Sequence, residues 1–145
     1  MQSDKLSLMK IITTLTVRPY ECDSYNHVNN AIYLHYLETA RMDFLLKCGF
    51  KYDDFAAQGY GLVITHVDIH YRFSAKMNEE IKIETEPVKM GALSGTMHQI
   101  IYKQDGSVSA EADVTWGCVD LKKGRPSKIP AEFLVEGFKP AEVHP

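Results

Sequence analysis

The stretch that decides the fold is residues 20–49, YECDSYNHVNNAIYLHYLETARMDFLLKCG. Its first part is a short polar loop, and a long helical pattern begins at about Asn30. One face of this helix is apolar: Tyr33, Leu37, Ala40, Phe44 and Cys48, widened by Leu34, Tyr36 and Leu45. Because the opposite side also carries Ile32, Met42 and Leu46, we expect the rest of the fold to enclose the helix up to its end at Gly49.

Strand patterns lie on both sides of this helix. Residues 9–18 predict a first strand, with Ile11, Leu15 and Val17 on one side, that ends before Pro19 because proline has no N–H to donate. Four more strands are predicted after residue 60, the last two joined by an Asp105-Gly106 hairpin: GLVITHVDIHYRF, EEIKIETEPV, SGTMHQIIYK and SVSAEADVTWGCVD. In the first of these, the odd-numbered residues 63–73 should pack inward. We expect an α+β fold in which these four strands form a meander within a sheet that curves around the helix.

Composition narrows the classes of function. The 145 residues, 45% of them hydrophobic, suit one domain spanning 1–145. The net charge of -3 gives no basic field, so a nucleic-acid partner is not expected. Three widely spaced cysteines without a CxxC pattern argue against disulfides and a thiolate zinc site, and indicate a reducing, cytoplasmic location. No apolar run approaches the length of a membrane span, and residues 1–10 lack a signal-peptide core.

Three segments carry a resemblance to a known family. DSYNHVNNAIYLHYLETAR (23–41), VDIHYRFSAKMNEEIKIET (67–85) and VDLKKGRPSKIP (119–130) resemble hotdog-fold thioesterases of the 4-hydroxybenzoyl-CoA thioesterase type. The first is also similar to the DxNxHVNN pattern of plant acyl-carrier-protein thioesterases, but Tyr25 stands where that pattern has its first Asn. The resemblance implies a five-stranded antiparallel sheet wrapped around a central helix. It also implies a homodimer with a continuous sheet and active sites at the interface, with a tetramer as the alternative assembly.

The loop before the helix carries the candidate catalytic groups. The first N–H groups of a helix have no internal partner, and the helix dipole makes that end partly positive. Asp23 could attack a thioester carbonyl or activate water, while the N–H groups of Asn30 and Ala31 hold the oxyanion. The residue type alone favours a turn or cap role for Asp23, and the resemblance favours catalysis. His27 could orient Asp23 or water, or protonate the leaving thiolate, and a structural loop histidine is the equal alternative.

Other residues are weaker candidates for catalysis or metal binding. Glu38 lies about 12 Å along the helix from Asn30, so a structural pairing with Arg41 is the better interpretation. His66 and His70 are predicted on a strand, where about 13 Å separates them, so they should not share a metal ion. Cys22 neighbours Asp23, but nothing in the sequence indicates a reactive thiol.

The expected substrate is an acyl-CoA, with coenzyme A as part of the substrate and no separate cofactor or metal. Lys89, Arg125 and Lys128 are candidates to bind the phosphates of coenzyme A, and Thr65 and Val67 should line the acyl pocket. Solvated surface charges are the alternative interpretation of the three basic residues. Two other functions stay open: a thioesterase acting on acyl carrier protein, and a non-catalytic protein that binds acyl-CoA or an acyl chain.

Overall fold

The computed structural model of the protein describes residues 10–140. The helices and strands in chain order are β1 (Ile11–Thr16), α1 (Asn30–Lys47), α2 (Tyr52–Ala57), β2 (Tyr60–Tyr71), β3 (Glu80–Met90), β4 (Ser94–Tyr102), β5 (Val108–Asp120) and β6 (Arg125–Pro126). The sheet is antiparallel, in the order β1–β3–β4–β5–β2, and the short β6 pairs with the end of β5. This arrangement confirms the predicted α+β fold, in which five strands curve around one long helix.

Helix α1 begins and ends where the sequence predicts. Asn29 is its N-cap, and Gly49 follows the last turn with a φ of 80°, in the left-handed region that glycine favours. Its buried residues form a single stripe: Tyr33, Tyr36, Leu37, Ala40, Phe44 and Leu45. The expectation of a helix enclosed on all sides is wrong, because Leu34 and Leu46 are 43% and 66% exposed. The sheet covers one face of the helix, and the other face is left open.

The predicted meander is correct for three strands and wrong for the fourth. Strands β3, β4 and β5 follow one another in the sheet, and Gly106, with a φ of 89°, forms the predicted hairpin turn. Strand β2 pairs with β5 and not with β3, so it forms one edge of the sheet. Strand β1 forms the other edge and is shorter than predicted, since it ends at Thr16; Met9 lies outside the described residues.

A β-bulge changes which residues of β2 face inward. The register with β5 shifts between Ile64 and His66, so Thr65 is an extra residue in the ladder. Before the bulge Leu62 packs towards the core, and after it Val67 and Ile69 do. The predicted inward face of odd-numbered residues is therefore wrong for Val63, which is exposed. The alternation restarts at the bulge, and a strict two-residue period cannot describe the whole strand.

The core lies between α1 and the inner face of the sheet. Alternate residues of the three central strands supply it, among them Ile81, Ile83, Met97, Ile101, Ala112, Val114 and Trp116. The part of the core near the C-terminal end of α1 is aromatic and includes Phe55 of α2. The sequence analysis did not predict this helix. Phe55 and Phe133 meet edge to face at 5.2 Å, so α2 and the C-terminal segment close this end of the core.

Among residues 10–140, no helix has the length and apolar character needed to cross a membrane.

Candidate functional site

The loop before α1 is a tight turn built around the Asp23 carboxylate. Asp23 Oδ1 accepts hydrogen bonds from the backbone N–H groups of Tyr25 at 2.9 Å and His27 at 3.1 Å. The Asp23 N–H donates to the carbonyl oxygen of His27 at 2.8 Å. Asn26 adopts a left-handed φ of 59°, a conformation that asparagine tolerates better than most residues. Asp23 therefore has the structural turn role that its residue type suggests, and its Oδ2 atom accepts no hydrogen bond from the described residues.

This turn is held against the start of α1. Cys22 and Val28 form a β-bridge, and the Asn29 N–H donates to the carbonyl oxygen of Glu21 at 2.9 Å. The Asn29 side chain accepts from the Ala31 N–H at 3.0 Å, which makes that donor unavailable as long as the cap is in place. The N–H of Asn30 has no acceptor among residues 10–140, so it can receive a ligand's oxygen.

Two tyrosines connect the helix start to the sheet. The Tyr71 hydroxyl donates to the carbonyl oxygen of Asn30 at 3.1 Å, and its ring packs on Tyr33 at 5.4 Å. The buried Tyr33 hydroxyl lies 3.0 Å from Ser109 Oγ and accepts from the Ala75 N–H at 3.0 Å. Sequence reasoning placed Tyr33 on the buried face of the helix but missed the role of Tyr71. No local pattern could have shown it, because the contact joins residues 41 positions apart.

The other loop candidates are placed as follows. The His27 side chain is exposed beside the turn, and its backbone holds the Asp23 carboxylate in place. Cys22 is half-buried, and burial, with the nearby charges of Glu21 and Asp23, raises the pKa of its thiol. A raised pKa leaves less thiolate at neutral pH, which argues against Cys22 as a nucleophile.

The substrate-binding candidates lie in three separate places. Thr65 occupies the β2 bulge and donates to the carbonyl oxygen of Thr115 at 3.4 Å, while Val67 packs against the core near α1. Lys89 is exposed within β3, one residue beyond the end of the predicted strand EEIKIETEPV. Arg125 and Lys128 are exposed beyond the far end of β5.

Within one chain, Arg125 is far from the start of α1. Ala110 pairs with Tyr71 and Asp120 pairs with Arg125, and ten residues of β5 separate these two pairings. An extended strand covers about 33 Å over that length. Arg125 and the Asn30 N–H of the same chain are therefore too far apart to contact the same small group of a ligand.

A cavity lies further along α1, between the helix and the β2 edge of the sheet. Its lining includes Glu38, Arg41, Leu62, Ile64, Trp116 and Phe138. The expected pairing of Glu38 with Arg41 is found only as the effect of a nearby charge: Arg41 Nη1 donates to Gln99 Oε1 at 3.0 Å, and within residues 10–140 no carboxylate lies within ion-pair distance of Arg41. The sequence showed no connection between Arg41 and Gln99, which are 58 positions apart.

No group of three or more potential metal-ligating side chains is close enough to hold a metal ion in the described part of the chain. His66 and His70 both lie on β2, as predicted, and His70 contacts Asp68 at 3.1 Å.

A family model, curated relatives and solved structures were compared with this chain, and all three comparisons find thioesterases. The family model described as the thioesterase-like superfamily matches residues 17–136. Long-chain acyl-CoA thioesterase FadM of Escherichia coli K12 is 33% identical over 122 residues, which is 83% of this chain and 92% of FadM. Acyl-CoA thioester hydrolase YbgC of E. coli O6:H1 is 27% identical over 83% of this chain and 91% of YbgC. The structure of a DHNA-CoA thioesterase from Staphylococcus aureus superposes with a TM-score of 0.79 at 24% identity, covering 82% of this chain and 80% of that one.

Proposed function

Because this chain belongs to the thioesterase-like superfamily and has the hotdog fold, we propose that it hydrolyses acyl-CoA thioesters to a free acid and coenzyme A. The observation that carries the proposal is the unpaired Asn30 N–H at the start of α1, beside the Asp23 turn. Relatives named as acyl-CoA thioesterases support the substrate class.

The proposed chemistry uses two groups. The thioester carbonyl oxygen accepts a hydrogen bond from the Asn30 N–H, where the partly positive helix end stabilises the charge that develops on attack. Asp23 Oδ2 then either attacks the carbonyl carbon or removes a proton from an attacking water molecule. The tetrahedral intermediate expels the thiolate, which takes up a proton and leaves as coenzyme A. When water is the attacking group this step gives the free acid directly; when Asp23 attacks, it leaves an acyl–Asp23 anhydride, which water then hydrolyses to the free acid and the Asp23 carboxylate. His27 is the candidate to supply the proton that the thiolate takes up, because its exposed ring lies beside the turn.

Asp23→Asn tests this mechanism. The asparagine keeps an oxygen that can accept from the Tyr25 and His27 N–H groups, so the turn should stay intact. Hydrolysis of short, long and aromatic acyl-CoAs is followed with a thiol reagent that detects released coenzyme A. We expect kcat to fall by about 10²-fold or more in this variant. Asp53→Asn, at an exposed position on α2, should leave kcat unchanged.

Three outcomes would change the proposal. A folded Asp23→Asn protein with unchanged kcat would show that the mechanism is wrong. A wild type that binds coenzyme A but hydrolyses no thioester would indicate a binding protein. Faster hydrolysis of acyl groups on acyl carrier protein than on coenzyme A would indicate the carrier-protein thioesterase.

The proposed enzyme is a homodimer that pairs through β2. This edge strand uses one side to pair with β5, and its exposed Val63 and Ile64 make it a typical site for strand pairing between chains. Antiparallel pairing about the middle of Tyr60–Tyr71 would place Thr65 near the two-fold axis and Tyr60 opposite the partner's Tyr71. Arg125, which pairs with Asp120 beside Tyr60, would then approach the start of the partner's helix, where coenzyme A binds.

Val63→Lys tests this interface. A lysine on the pairing edge should produce a monomer in sedimentation analysis, with loss of acyl-CoA hydrolysis. Ile12→Lys is the matched control, since Ile12 is 54% exposed on β1, the opposite edge of the sheet. A Val63→Lys protein that stays dimeric, or a wild type that is monomeric and active, would contradict the proposed interface.

A further inference from the structure

The cavity between α1 and the β2 edge is small. Its volume is about 110 Å³, somewhat less than the roughly 150 Å³ of an engineered apolar cavity that binds benzene, so it can hold a short apolar segment of a ligand. Leu45, Trp116 and Phe138 are buried and form its inner end, while Glu38 and Ile64 are exposed and form its mouth. Glu38 and Leu45 are seven residues apart on α1, so the cavity extends for about 10 Å along the helix.

Packing fixes the inner end. The Trp116 ring lies directly on Gly95, where a Cβ atom would come within 2.5 Å of it. Trp116 and Phe138 contact each other with ring centroids 5.2 Å apart. Gly137 packs against Cys48 too closely to admit a side chain, and this holds the Phe138 turn over the end of α1. The inner end therefore suits an apolar tail of limited length.

Arg41 introduces a fixed cation into this cavity. Its guanidinium donates to Gln99 Oε1, and the Gln99 amide donates to the Leu37 carbonyl oxygen and to Thr85 Oγ1, both at 3.0 Å. These three bonds orient the amide and, through it, the guanidinium. Burial lowers the pKa of Arg41, and the nearby charge of Glu38 opposes that shift. Because no carboxylate among residues 10–140 lies within ion-pair distance of Arg41, its other N–H groups are suited to an oxygen on a ligand.

We infer that the cavity holds the distal part of the acyl group and that Arg41 donates a hydrogen bond to a hydroxyl on it, which makes hydroxyacyl-CoAs the preferred substrates. A hydroxyl can accept from Arg41 and donate to Glu38, which also lines the mouth. A carboxylate would face the charge of Glu38, and an unsubstituted chain would offer no acceptor to the guanidinium N–H groups that do not bond to Gln99. The inference rests on the proposed acyl-CoA thioesterase function.

The proposed dimer supports this placement. With β2 paired about its middle, Ile64 at the cavity mouth would lie opposite the partner's Val67. Val67 is four residues from Tyr71, which contacts the helix start, so about 13 Å would separate the mouth from the partner's thioester site. An acyl chain could therefore extend from the partner's Asn30 N–H into this cavity.

The test compares kcat/KM for hexadecanoyl-CoA, whose chain is long enough to reach the cavity, with a series of hydroxyhexadecanoyl-CoAs that carry the hydroxyl at different positions in the distal half of the chain. We expect at least one isomer to be preferred by roughly tenfold or more, the value of a hydrogen bond to a charged donor. Arg41→Leu should abolish this preference while hexadecanoyl-CoA is still hydrolysed, and Arg41→Lys should retain part of it. Met42→Leu, in the same cavity wall, should keep the preference.

Each failure has its own signature. Equal kcat/KM for all the thioesters in the wild type would overturn the inference and leave the thioesterase proposal intact. If no thioester is hydrolysed, the proposed function fails. Calorimetric measurement of the binding of the same acyl-CoAs then decides the inference, because equal affinities for the hydroxylated and unsubstituted compounds would overturn it. If Arg41→Leu does not fold, Arg41→Lys decides. We then expect the preference for the hydroxyacyl substrate to be reduced in Arg41→Lys and unchanged in Met42→Leu.

Discussion

The Tyr71 hydroxyl donates a hydrogen bond to the main-chain carbonyl oxygen of Asn30 across 3.1 Å. This bond joins the end of an edge strand to the first residue of α1, whose N–H is the proposed oxyanion donor. Because the Tyr71 ring also packs on the buried Tyr33, the peptide at the helix start is held from the sheet. The position of the proposed donor therefore depends on β2, the strand through which we propose that the dimer forms.

Removing this bond should affect activity more than folding. We expect Tyr71→Phe to lower kcat/KM for acyl-CoA roughly two- to tenfold, the value of one neutral hydrogen bond. The ring contact with Tyr33 is retained, so the melting temperature should change little. Tyr25→Phe is the control, because the Tyr25 hydroxyl has no hydrogen-bond partner within residues 10–140. Equal kcat/KM values for wild type and Tyr71→Phe would show that the tether does not position the donor.

The Asn29 cap is expected to contribute to stability. Asn29→Ala removes the acceptor of the Ala31 N–H and should lower the free energy of unfolding by about 1 kcal/mol. Chemical denaturation measures this loss. Asn29→Asp keeps the acceptor and places a negative charge at the positive helix end, so its stability should equal or exceed that of the wild type. An Asn29→Ala protein as stable as the wild type would show that water replaces the cap without loss.

Stability should decrease as pH rises through the titration of His98. Partial burial acts to lower the pKa of His98, but the hydrogen bond to Asp113 at 2.7 Å and the charges of Asp113 and Glu111 raise it above its ordinary value. A histidine with a raised folded-state pKa contributes stability that is fully present below the unfolded-state value of about 6.5 and is lost above the folded-state pKa.

Melting temperatures across this pH window check the prediction. His98→Gln should remove the part of the pH dependence that comes from His98 and its two carboxylates, whereas His70→Gln, on β2 at the far side of β5, should leave most of it in place. A His98→Gln protein with the same pH profile as the wild type would contradict it.

Gly95 is required by its contact with Trp116. A Cβ atom at residue 95 would lie 2.5 Å from the indole ring, so Gly95→Ala must displace a buried aromatic side chain. We expect a loss of about 1–3 kcal/mol in the free energy of unfolding, measured by chemical denaturation. Gly117→Ala is the matched control on β5, where the nearest atom would be at 3.5 Å, an ordinary contact distance. Equal losses in the two variants would show that the Trp116 contact is not the cause.

Several features followed from the sequence because they depend on residues close together in the chain. The start of α1 near Asn30 and its end at Gly49 follow from helical periodicity and terminal residue types. The Asp105-Gly106 turn and the existence of β3, β4 and β5 follow from turn chemistry and a two-residue period. The position of Asp23 directly before the helix was visible for the same reason.

Other features could not be predicted because strand pairing and packing between distant residues decide them. Whether β2 pairs with β3 or with β5 depends on how the whole sheet packs on α1. The two-residue period of β2 contains no information about its partner strand. The bulge at Thr65 changes the inward-facing residues of β2 from even-numbered to odd-numbered positions. No sequence pattern near Thr65 predicts this bulge. Helix α2 was also missed, since a helix of six residues carries too little periodicity to be recognised.

The sequence by itself determined the helix, the polar loop before it and the alternating strands, since local backbone preferences and hydrophobic periodicity act over a few residues. Only the tertiary structure decided that Tyr71 holds Asn30, that Gln99 orients Arg41 in a cavity, and that Arg125 lies far from its own helix start. These relationships join residues that the chain separates widely, and they arise when the sheet closes over the helix to bury its apolar face.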